Sequence, residues 1–294
     1  MISFVKMHGC GNDFVVVRHR ELEEYGLEGS AFVPFVRRVC DRHRGIGADG
    51  LLTYATEEGG SPAVRMRYWN SDGSRAEMCG NGARCVVRLA CERRETTSPL
   101  DLVTDAGRHR AQTRSEGGHV RSVRIQMGPV RWEPDEIGLH EKHTLVDAAL
   151  QVGEQELRVT TLSLGNPHAV VFMADTEALQ RLALENIGPS LATHPIFTRG
   201  ANASFATLTR EGIRVRVWER GAGPTLACGS AACAVVAAAR RLGHLDSDAA
   251  AVYLPGGRVE VESDAAGEIW LEGPAAFVAE GSLSAELLTD DEPR

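Results

Sequence analysis

Two cysteines stand in segments that repeat one another. Cys79-Gly80 and Cys228-Gly229 each follow a strand-like stretch and a turn, and each precede an apolar, helix-like stretch. Eight residues recur at one constant offset of 149 positions. They are Arg65, Arg67, Trp69, Cys79, Gly80, Ala83, Val86 and Val87, which match Arg214, Arg216, Trp218, Cys228, Gly229, Ala232, Val235 and Val236. The repeat predicts two similar halves that each present one Cys-Gly pair at an equivalent place.

A cysteine at the start of a helix has a specific chemistry. The first turn leaves backbone N–H groups without partners, which makes it a site for an anion such as a carboxylate. The helix dipole also lowers the pKa of a nearby thiol. Two such turns facing each other would place a sulfur on either side of one bound carbon. The sequence therefore predicts reactive thiols at Cys79 and Cys228. The other cysteines are predicted to be buried and structural: Cys10, Cys40, Cys85, Cys91 and Cys233.

Metal and pyridoxal chemistry are both disfavoured by the sequence. Cys79, Cys85 and Cys91 are separated by five residues each, and Cys228 and Cys233 by four, so the tight Cys-x2-Cys spacing of a zinc site is missing. Lysines are confined to Lys6 and Lys142, and neither lies in a motif suited to a Schiff base. We expect no metal and no cofactor.

Composition narrows the class of protein. A chain of 294 residues with 43% hydrophobic and 24% charged residues suits two globular domains. The net charge of −8 argues against nucleic acid and against an anionic membrane surface. No apolar stretch is long enough to span a bilayer, and the first ten residues lack the apolar core of a signal peptide. We expect a cytoplasmic protein with free thiols.

The elements that position the cysteines follow the same repeat. Gly11-Asn12 and Gly165-Asn166, at an offset of 154, each precede a valine pair, which extends the similarity over whole domains. Alternation predicts strands over 63–70 and 213–218, and apolar spacing predicts helices over 82–94 and 231–242. Residues 188–199 are predicted to be loop-rich. The predicted domains are 1–119 with 276–294, carrying Cys79, and 120–275, carrying Cys228.

Six segments, in order along the chain, resemble the diaminopimelate epimerase family. They read MHGCGNDFVVV, RHRGIGADGLL, YWNSDGSRAEMCGNGARCV, GNPHAVVF, VWERGAGPTLACGSAACAV and LPGG. The resemblance implies an α+β fold of two pseudo-symmetric domains, each a barrel-like β-sheet around a central helix, with the site between them. It implies interconversion of L,L- and meso-diaminopimelate without pyridoxal phosphate, in lysine and peptidoglycan biosynthesis. It also implies a homodimer.

The resemblance further implies roles for individual residues. Cys79 and Cys228 would be the two catalytic bases, with His168 and Glu219 assisting at the reacting centre. The substrate-binding residues would be Asn12, Asn70, Gly80, Asn81, Asn166, Asn202, Glu219, Arg220, Gly229 and Ser230. From the residues alone, Asn12 and Asn166 are also explained as turn formers, and Glu219 with Arg220 as a solvated pair at a strand end.

Four residues depart from the common family pattern, and two other functions are alternatives to diaminopimelate epimerisation. Gly50 stands where many members have Gln, Ala203-Ser204 replaces Val-Glu, and Ser230 replaces Thr. A proline or hydroxyproline epimerase of the same architecture would keep both cysteines but would not need the residues that bind the distal end of the substrate. A binding protein without catalysis would not need either thiol.

Overall fold

The structure is a computed structural model that describes residues 1–57 and 60–288. The chain forms two compact units, Met1–Ile125 with Gly273–Arg294, and Gln126–Glu272. Residues 289–294, which the first predicted domain includes, lie outside the described residues. The sequence-based boundaries after residues 119 and 275, as limits of independent domains, stay a prediction.

Strands and helices are numbered here in chain order. The strands are β1 (Ser3–Gly9), β2 (Asn12–Arg18), β3 (Gly50–Thr56), β4 (Ala63–Asn70), β5 (Arg75–Ala76), β6 (Leu100–Thr104), β7 (Gly107–Glu116), β8 (His119–Pro129), β9 (Ala148–Val152), β10 (Gln155–Ser163), β11 (Pro167–Phe172), β12 (Asn202–Thr209), β13 (Gly212–Glu219), β14 (Gly223–Pro224), β15 (Ala249–Leu254), β16 (Gly257–Ser263), β17 (Glu268–Gly273) and β18 (Ala276–Ser282). The helices are α1 (His19–Glu24), α2 (Phe32–Cys40), α3 (Gly80–Glu92), α4 (Pro134–Ile137), α5 (Thr176–Arg181), α6 (Leu184–Ala192), α7 (Gly229–Arg241) and α8 (Ala285–Leu288), with a short 3-10 turn at Gly29–Ala31.

In the first unit, β1 lies antiparallel to β2, β2 parallel to β3, and β3 antiparallel to β4. The chain then crosses from β4 through α3 to β6, which pairs with β4 in parallel. Strands β6, β7 and β8 continue as antiparallel neighbours. The tail of the chain adds β18 antiparallel to β1, so the first unit contains both ends of the described chain.

The second unit repeats this order of pairings strand by strand. β10 is antiparallel to β11, β11 parallel to β12, and β12 antiparallel to β13. The chain crosses through α7 to β15, which pairs with β13 in parallel, and β16 and β17 follow as antiparallel neighbours. The pseudo-symmetric halves predicted from the repeat are confirmed. Both β4 with β13 and α3 with α7 match at the offset of 149 residues.

One long helix forms the centre of each unit. α3 contacts β1, β2, β3, β4 and β7, and α7 contacts β10, β11, β12, β13, β15 and β16. Both helices are thus surrounded by sheet, which requires apolar or small residues on most faces. Val86, Val87 and Leu89 of α3 are fully buried, as are Val235 and Val236 of α7. The predicted α+β architecture, a sheet wrapped around a central helix in each half, is confirmed.

The structure contradicts the sequence-based prediction at helix α6. The second half of α6, residues 188–192, lies where the sequence predicts a loop-rich stretch over 188–199, and it contains Pro189. Gly188 and Pro189 favour a helix end, yet Leu184, Ile187 and Leu191 pack into the core of the second unit, which outweighs the local preference.

No helix in residues 1–57 and 60–288 has the length and apolar character that crossing a bilayer requires.

Candidate active site

Cys79 is the residue immediately before α3, at the end of the turn that follows β4 and β5. Its backbone is extended (φ −142°, ψ 112°), and its Sγ accepts a hydrogen bond from the Gly82 N–H at 3.5 Å. A Cβ at position 82 would lie 2.9 Å from a methyl group of Leu52, so any larger residue there would displace the Leu52 side chain. The sulfur therefore takes the capping position at a helix start, where backbone N–H groups stabilise negative charge.

Two amide side chains connect Cys79 to the first β-hairpin. Asn12 Oδ1 lies 3.8 Å from Cys79 Sγ and accepts a hydrogen bond from Asn81 Nδ2 at 3.1 Å. Asn12 Nδ2 in turn donates to Asp49 Oδ2 at 2.7 Å. A carboxylate can only accept here, so Asn12 must present its carbonyl oxygen to Asn81 and to the Cys79 thiol. Asn12 thus contacts the candidate catalytic thiol directly.

Arg84, one turn into α3, is completely buried behind the Cys79 turn. Its guanidinium donates to Asn81 Oδ1 at 2.8 Å, to the Gly80 carbonyl at 3.2 Å and to the Pro274 carbonyl at 3.1 Å. It also lies 3.8 Å from Cys10 Sγ. Neither Arg84 nor Asp49 was predicted from the sequence as part of the site. The available signal for Arg84 was a charged residue between Ala83 and Cys85, near the start of α3.

Cys228 occupies the equivalent position before α7, but its surroundings differ. It is buried, and its Sγ lies 3.5 Å from Ser230 Oγ. Burial, together with the nearby Glu219 carboxylate, raises the pKa of the Cys228 thiol well above its usual value, and the hydrogen bond with Ser230 only partly offsets this. The sequence predicted a lowered pKa from the helix dipole. At Cys228 desolvation outweighs the dipole, so the thiol is protonated at neutral pH.

Asn166 and His168 lie beside Cys228 through Ser230. Asn166 Nδ2 lies 3.5 Å from Ser230 Oγ, and Asn166 Oδ1 lies 3.0 Å from His168 Nε2. His168 is fully buried, and its Nδ1 has no hydrogen-bond partner among the described residues. Burial, reinforced by the positive charge of Arg220, lowers the pKa of His168 to about 3. The imidazole is therefore neutral at physiological pH and can accept a hydrogen bond from an ammonium group.

A third group of predicted residues lies at the end of β13. Asn202 Oδ1 accepts a hydrogen bond from the Arg220 backbone N–H at 2.8 Å. The Arg220 guanidinium donates to the Arg199 carbonyl at 3.1 Å, and Thr225 donates its hydroxyl to Glu219. Arg220 and Glu219 also act electrostatically on His168 and Cys228, respectively. The second unit thus brings together all the residues predicted for it.

Comparison with known proteins gives the family. The model of the family described as diaminopimelate epimerase matches residues 4–133 and 160–278. The chain is 40% identical to the diaminopimelate epimerase of Carboxydothermus hydrogenoformans over 282 residues, covering 95% of this chain and 98% of that protein. It is 41% identical to that of Synechococcus elongatus, with 96% and 98% covered. The chain belongs to the diaminopimelate epimerase family.

Solved structures extend the similarity of fold beyond that family. A hydroxyproline epimerase from Agrobacterium vitis superimposes with a TM-score of 0.66 at 16% identity, covering 95% of this chain and 91% of that one. A PhzF-family phenazine biosynthesis protein from Bacillus anthracis gives 0.68 at 17%, with 96% and 99% covered. At these identities the likeness shows a shared fold only.

Asn70 and Gly50 of the first unit are each explained by contacts with their own neighbours. Asn70 Nδ2 donates to Ser74 Oγ at 3.0 Å, within its own turn, and no hydrogen bond in the described residues links its side chain to the Cys79 turn. Packing explains why residue 50 is a glycine, because a Cβ there would lie 2.4 Å from the Trp69 carbonyl and 2.5 Å from the Tyr68 ring. A longer side chain at position 50 would need this backbone to move.

No group of three or more His, Cys, Asp or Glu side chains in the described ranges is arranged to hold a metal ion. The seven cysteines are all free thiols. The thiol, imidazole, carboxylate and amide groups of the site in this diaminopimelate epimerase family member offer acid–base and hydrogen-bonding chemistry. They form one cluster around Cys79 and one around Cys228, each within its own unit.

Proposed function

We propose that this protein is an isomerase that interconverts L,L- and meso-diaminopimelate and needs no pyridoxal phosphate and no metal. The observation that carries the proposal is the equivalent cysteine immediately before the central helix in each half. The identity of about 40% to proteins named diaminopimelate epimerase, over nearly their whole length, supports the choice of substrate. The physiological role would be in lysine and peptidoglycan biosynthesis.

The proposed reaction uses the two thiols as a base and an acid. The thiolate of one cysteine takes the α-proton, and the electron pair of the C–H bond is delocalised into the α-carboxylate. The thiol of the other cysteine gives its proton to the opposite face, which inverts the centre. Each turnover exchanges the protonation states of Cys79 and Cys228, so both directions use the same pair. The protonated state of Cys228 suits the role of acid in the first step.

Binding of the reacting end is assigned to the two helix starts. Backbone N–H groups at Gly80-Asn81 and at Gly229-Ser230 bind the α-carboxylate and stabilise the charge that develops on it. His168, held neutral by burial, accepts a hydrogen bond from the α-ammonium, and Glu219 supplies a carboxylate beside Cys228.

The remaining binding residues are assigned to the distal end of the substrate. Arg220 suits the distal carboxylate because its planar guanidinium can form two parallel hydrogen bonds. The amide side chains complete this set: Asn12, Asn70, Asn166 and Asn202. Asn12 has a second role, since its oxygen already contacts Cys79. We further propose a cytoplasmic homodimer that binds neither nucleic acid nor membranes.

The test is solvent deuterium incorporation at the α-carbon of L,L- and meso-diaminopimelate in D₂O, without added cofactor and after treatment with a chelator and hydroxylamine. We expect incorporation with inversion from both substrates by the wild-type protein and no inversion by Cys79→Ala or Cys228→Ala. L-Proline and trans-4-hydroxy-L-proline serve as competing substrates. Exchange with those amino acids and none with diaminopimelate would refute the proposed substrate.

A further inference from the structure

The guanidinium of Arg84 is a buried charge without a charged partner. Its side chain is fully buried, and its hydrogen-bond partners are two carbonyls, one amide oxygen and one thiol. No carboxylate in residues 1–57 and 60–288 bonds to it. Burying a charge is costly unless an opposite charge compensates it, and an arginine cannot shed its proton to avoid that cost. These acceptors satisfy hydrogen bonds of the guanidinium but carry no negative charge, so its positive charge stays available to a nearby anion.

The contacts of Arg84 converge on the turn proposed to hold the anion. Gly80, whose carbonyl it binds, and Asn81, whose side chain it binds, are the first two residues of α3. Cys79 is the residue just before them. The guanidinium therefore holds the backbone that presents the N–H groups, and it places a fixed positive charge against the first two residues of α3.

Gly9 on β1 provides the space for this arrangement. A Cβ at position 9 would lie 3.0 Å from a terminal nitrogen of Arg84, 3.1 Å from the Asn81 carbonyl oxygen and 3.2 Å from the Asn81 Cα. These contacts are tighter than ordinary packing allows. The first hairpin is thus shaped to accept both the guanidinium and the turn that it holds.

The second half lacks the equivalent charge. At the offset of 149 residues, Arg84 corresponds to Cys233, a fully buried thiol. Helix α7 is also buried and also begins directly after a cysteine, although it has no arginine at this position. The arginine is therefore not needed to form or bury such a helix. The charge is a specialisation of the half that carries Cys79.

We propose that Arg84 is a positioning residue that holds the Cys79–Asn81 turn and supplies the buried positive charge for the anions formed or bound there. These anions are the Cys79 thiolate and the substrate carboxylate. The inference deepens the proposed function and rests on it for the role of Cys79. It differs from the assignment of the two bases because Arg84 contacts neither the reacting carbon nor the proton.

The first readout is the reactivity of the Cys79 thiolate, measured as its rate of alkylation by iodoacetamide at pH 7.5 with peptide mapping. We expect Arg84→Met to slow this rate at least about tenfold, the equivalent of one pKa unit. Arg84→Lys, which restores the charge, should bring the rate back to within about threefold of wild type. Arg88→Met is the matched control, because Arg88 lies one turn further along α3, is half-buried and also bonds a backbone carbonyl, that of Ala275. It should change the rate less than about twofold.

The second readout is steady-state epimerisation of L,L-diaminopimelate. Arg84→Lys cannot reach all the acceptors of the planar guanidinium, so KM should rise about tenfold with a smaller change in kcat. If Arg84→Met does not fold, judged by thermal unfolding, Arg84→Gln replaces it. A folded uncharged variant whose Cys79 reacts at the wild-type rate would overturn the proposal, and so would a folded Arg84→Lys variant whose Cys79 stays as slow as in Arg84→Met. Alkylation needs no turnover. An unchanged alkylation rate of Cys79 in a variant with intact epimerisation therefore refutes only the role of Arg84. An active Cys79→Ala variant refutes the proposed mechanism.

Discussion

At the scale of single residues, the two helix-start thiols differ in the charges around them. Cys228 is buried near the carboxylate of Glu219, while the residue of the first half that corresponds to Glu219 is the uncharged Asn70. Cys79 is half-buried, and its helix carries the buried Arg84, which corresponds to the neutral Cys233. Burial and the Glu219 carboxylate, both within the second half, thus disfavour the thiolate form of Cys228. In the proposed mechanism the two thiols alternate between base and acid, and this difference assigns the first proton to Cys228.

Glu219→Gln should increase the reactivity of the Cys228 thiol. The substitution removes the carboxylate that raises the pKa of Cys228, while burial, the larger cause, remains. We expect the alkylation rate of Cys228 at pH 8 to rise about threefold to tenfold, as a pKa decrease of up to one unit would give. Glu211→Gln is the control, since Glu211 is exposed at the start of the same hairpin arm and pairs with Arg214. An equal increase in both variants would show that net charge, not contact with Glu219, controls the thiol.

His168 should make the protein sensitive to acid. Its pKa is about 3 in the folded protein and 6.5 in an unconstrained chain, so between these values the unfolded state binds one more proton. The contribution of His168 to stability is complete above pH 6.5 and is lost as the pH falls, at about 1.4 kcal/mol per pH unit.

Urea unfolding at several pH values between 3 and 7 measures this slope. His168→Gln should lower the dependence of the free energy of unfolding on pH by about that amount, whatever its effect at neutral pH. His143→Gln, at an exposed position, should leave the slope unchanged. A wild-type slope in the His168 variant would mean that the imidazole charges freely in the folded state.

At the scale of elements, the features that could be predicted from the sequence are local or occur in both halves. The features that could not be predicted depend on contacts between residues distant in sequence. The strand over 63–70, the helix starts and the equivalent cysteines follow from periodicity and from the repeat. Asp49 contacts Asn12 from 37 positions away, and Arg84 contacts Cys10 from 74 positions away, so neither could be placed from the sequence. Burial of Cys228, which reverses the expected shift of its pKa, is likewise a property of the folded unit.

Helix α6 shows how tertiary packing decides an element that local preference opposes. Gly188 faces Trp218, the last residue but one of β13, and a Cβ at position 188 would lie 2.8 to 2.9 Å from three atoms of that side chain. Gly188→Ala would gain about 1 kcal/mol in a free helix. Here overpacking should dominate, and we expect a loss of about 1–3 kcal/mol in the free energy of unfolding.

Chemical denaturation measures this loss, and Ser190→Ala, two residues further along α6 at an exposed position, is the control. That substitution should change stability by less than about 0.5 kcal/mol. Because Trp218 immediately precedes Glu219, the Gly188 variant should also reduce turnover. A stabilised Gly188→Ala variant would show that α6 does not press on β13.

At the scale of the whole molecule, one plan of strand pairing serves two halves that have diverged in charge. The sequence of pairings from β1 to β8 recurs from β10 to β17, and each central helix begins after a cysteine. The first half carries the buried charge of Arg84, and the second carries Glu219 and the neutral His168. A duplicated fold thereby supplies two thiols whose surroundings are no longer equivalent.

The division of labour between the halves should therefore be visible in single variants. Inversion uses one group to remove the α-proton and another to deliver a proton to the opposite face, so Cys79→Ala and Cys228→Ala should each abolish epimerisation in both directions. Cys→Ser variants, with a far weaker acid and base, should lose about 10²–10⁴-fold in kcat.

In the proposed mechanism, each Ala variant retains one thiol that faces one side of the α-carbon. It should exchange the α-hydrogen with solvent deuterium for only one stereoisomer at that centre, and the preferred isomer should reverse between the two variants. Mass spectrometry of L,L- and meso-diaminopimelate recovered from D₂O measures this preference, and the Cys91→Ala variant, at a cysteine outside both turns, controls for loss of a thiol as such. If both variants prefer the same isomer, or if either still inverts it at a near-normal rate, the two thiols do not share the reaction. A reversed preference, with inversion lost in both, would assign one face of the substrate to each half of the molecule.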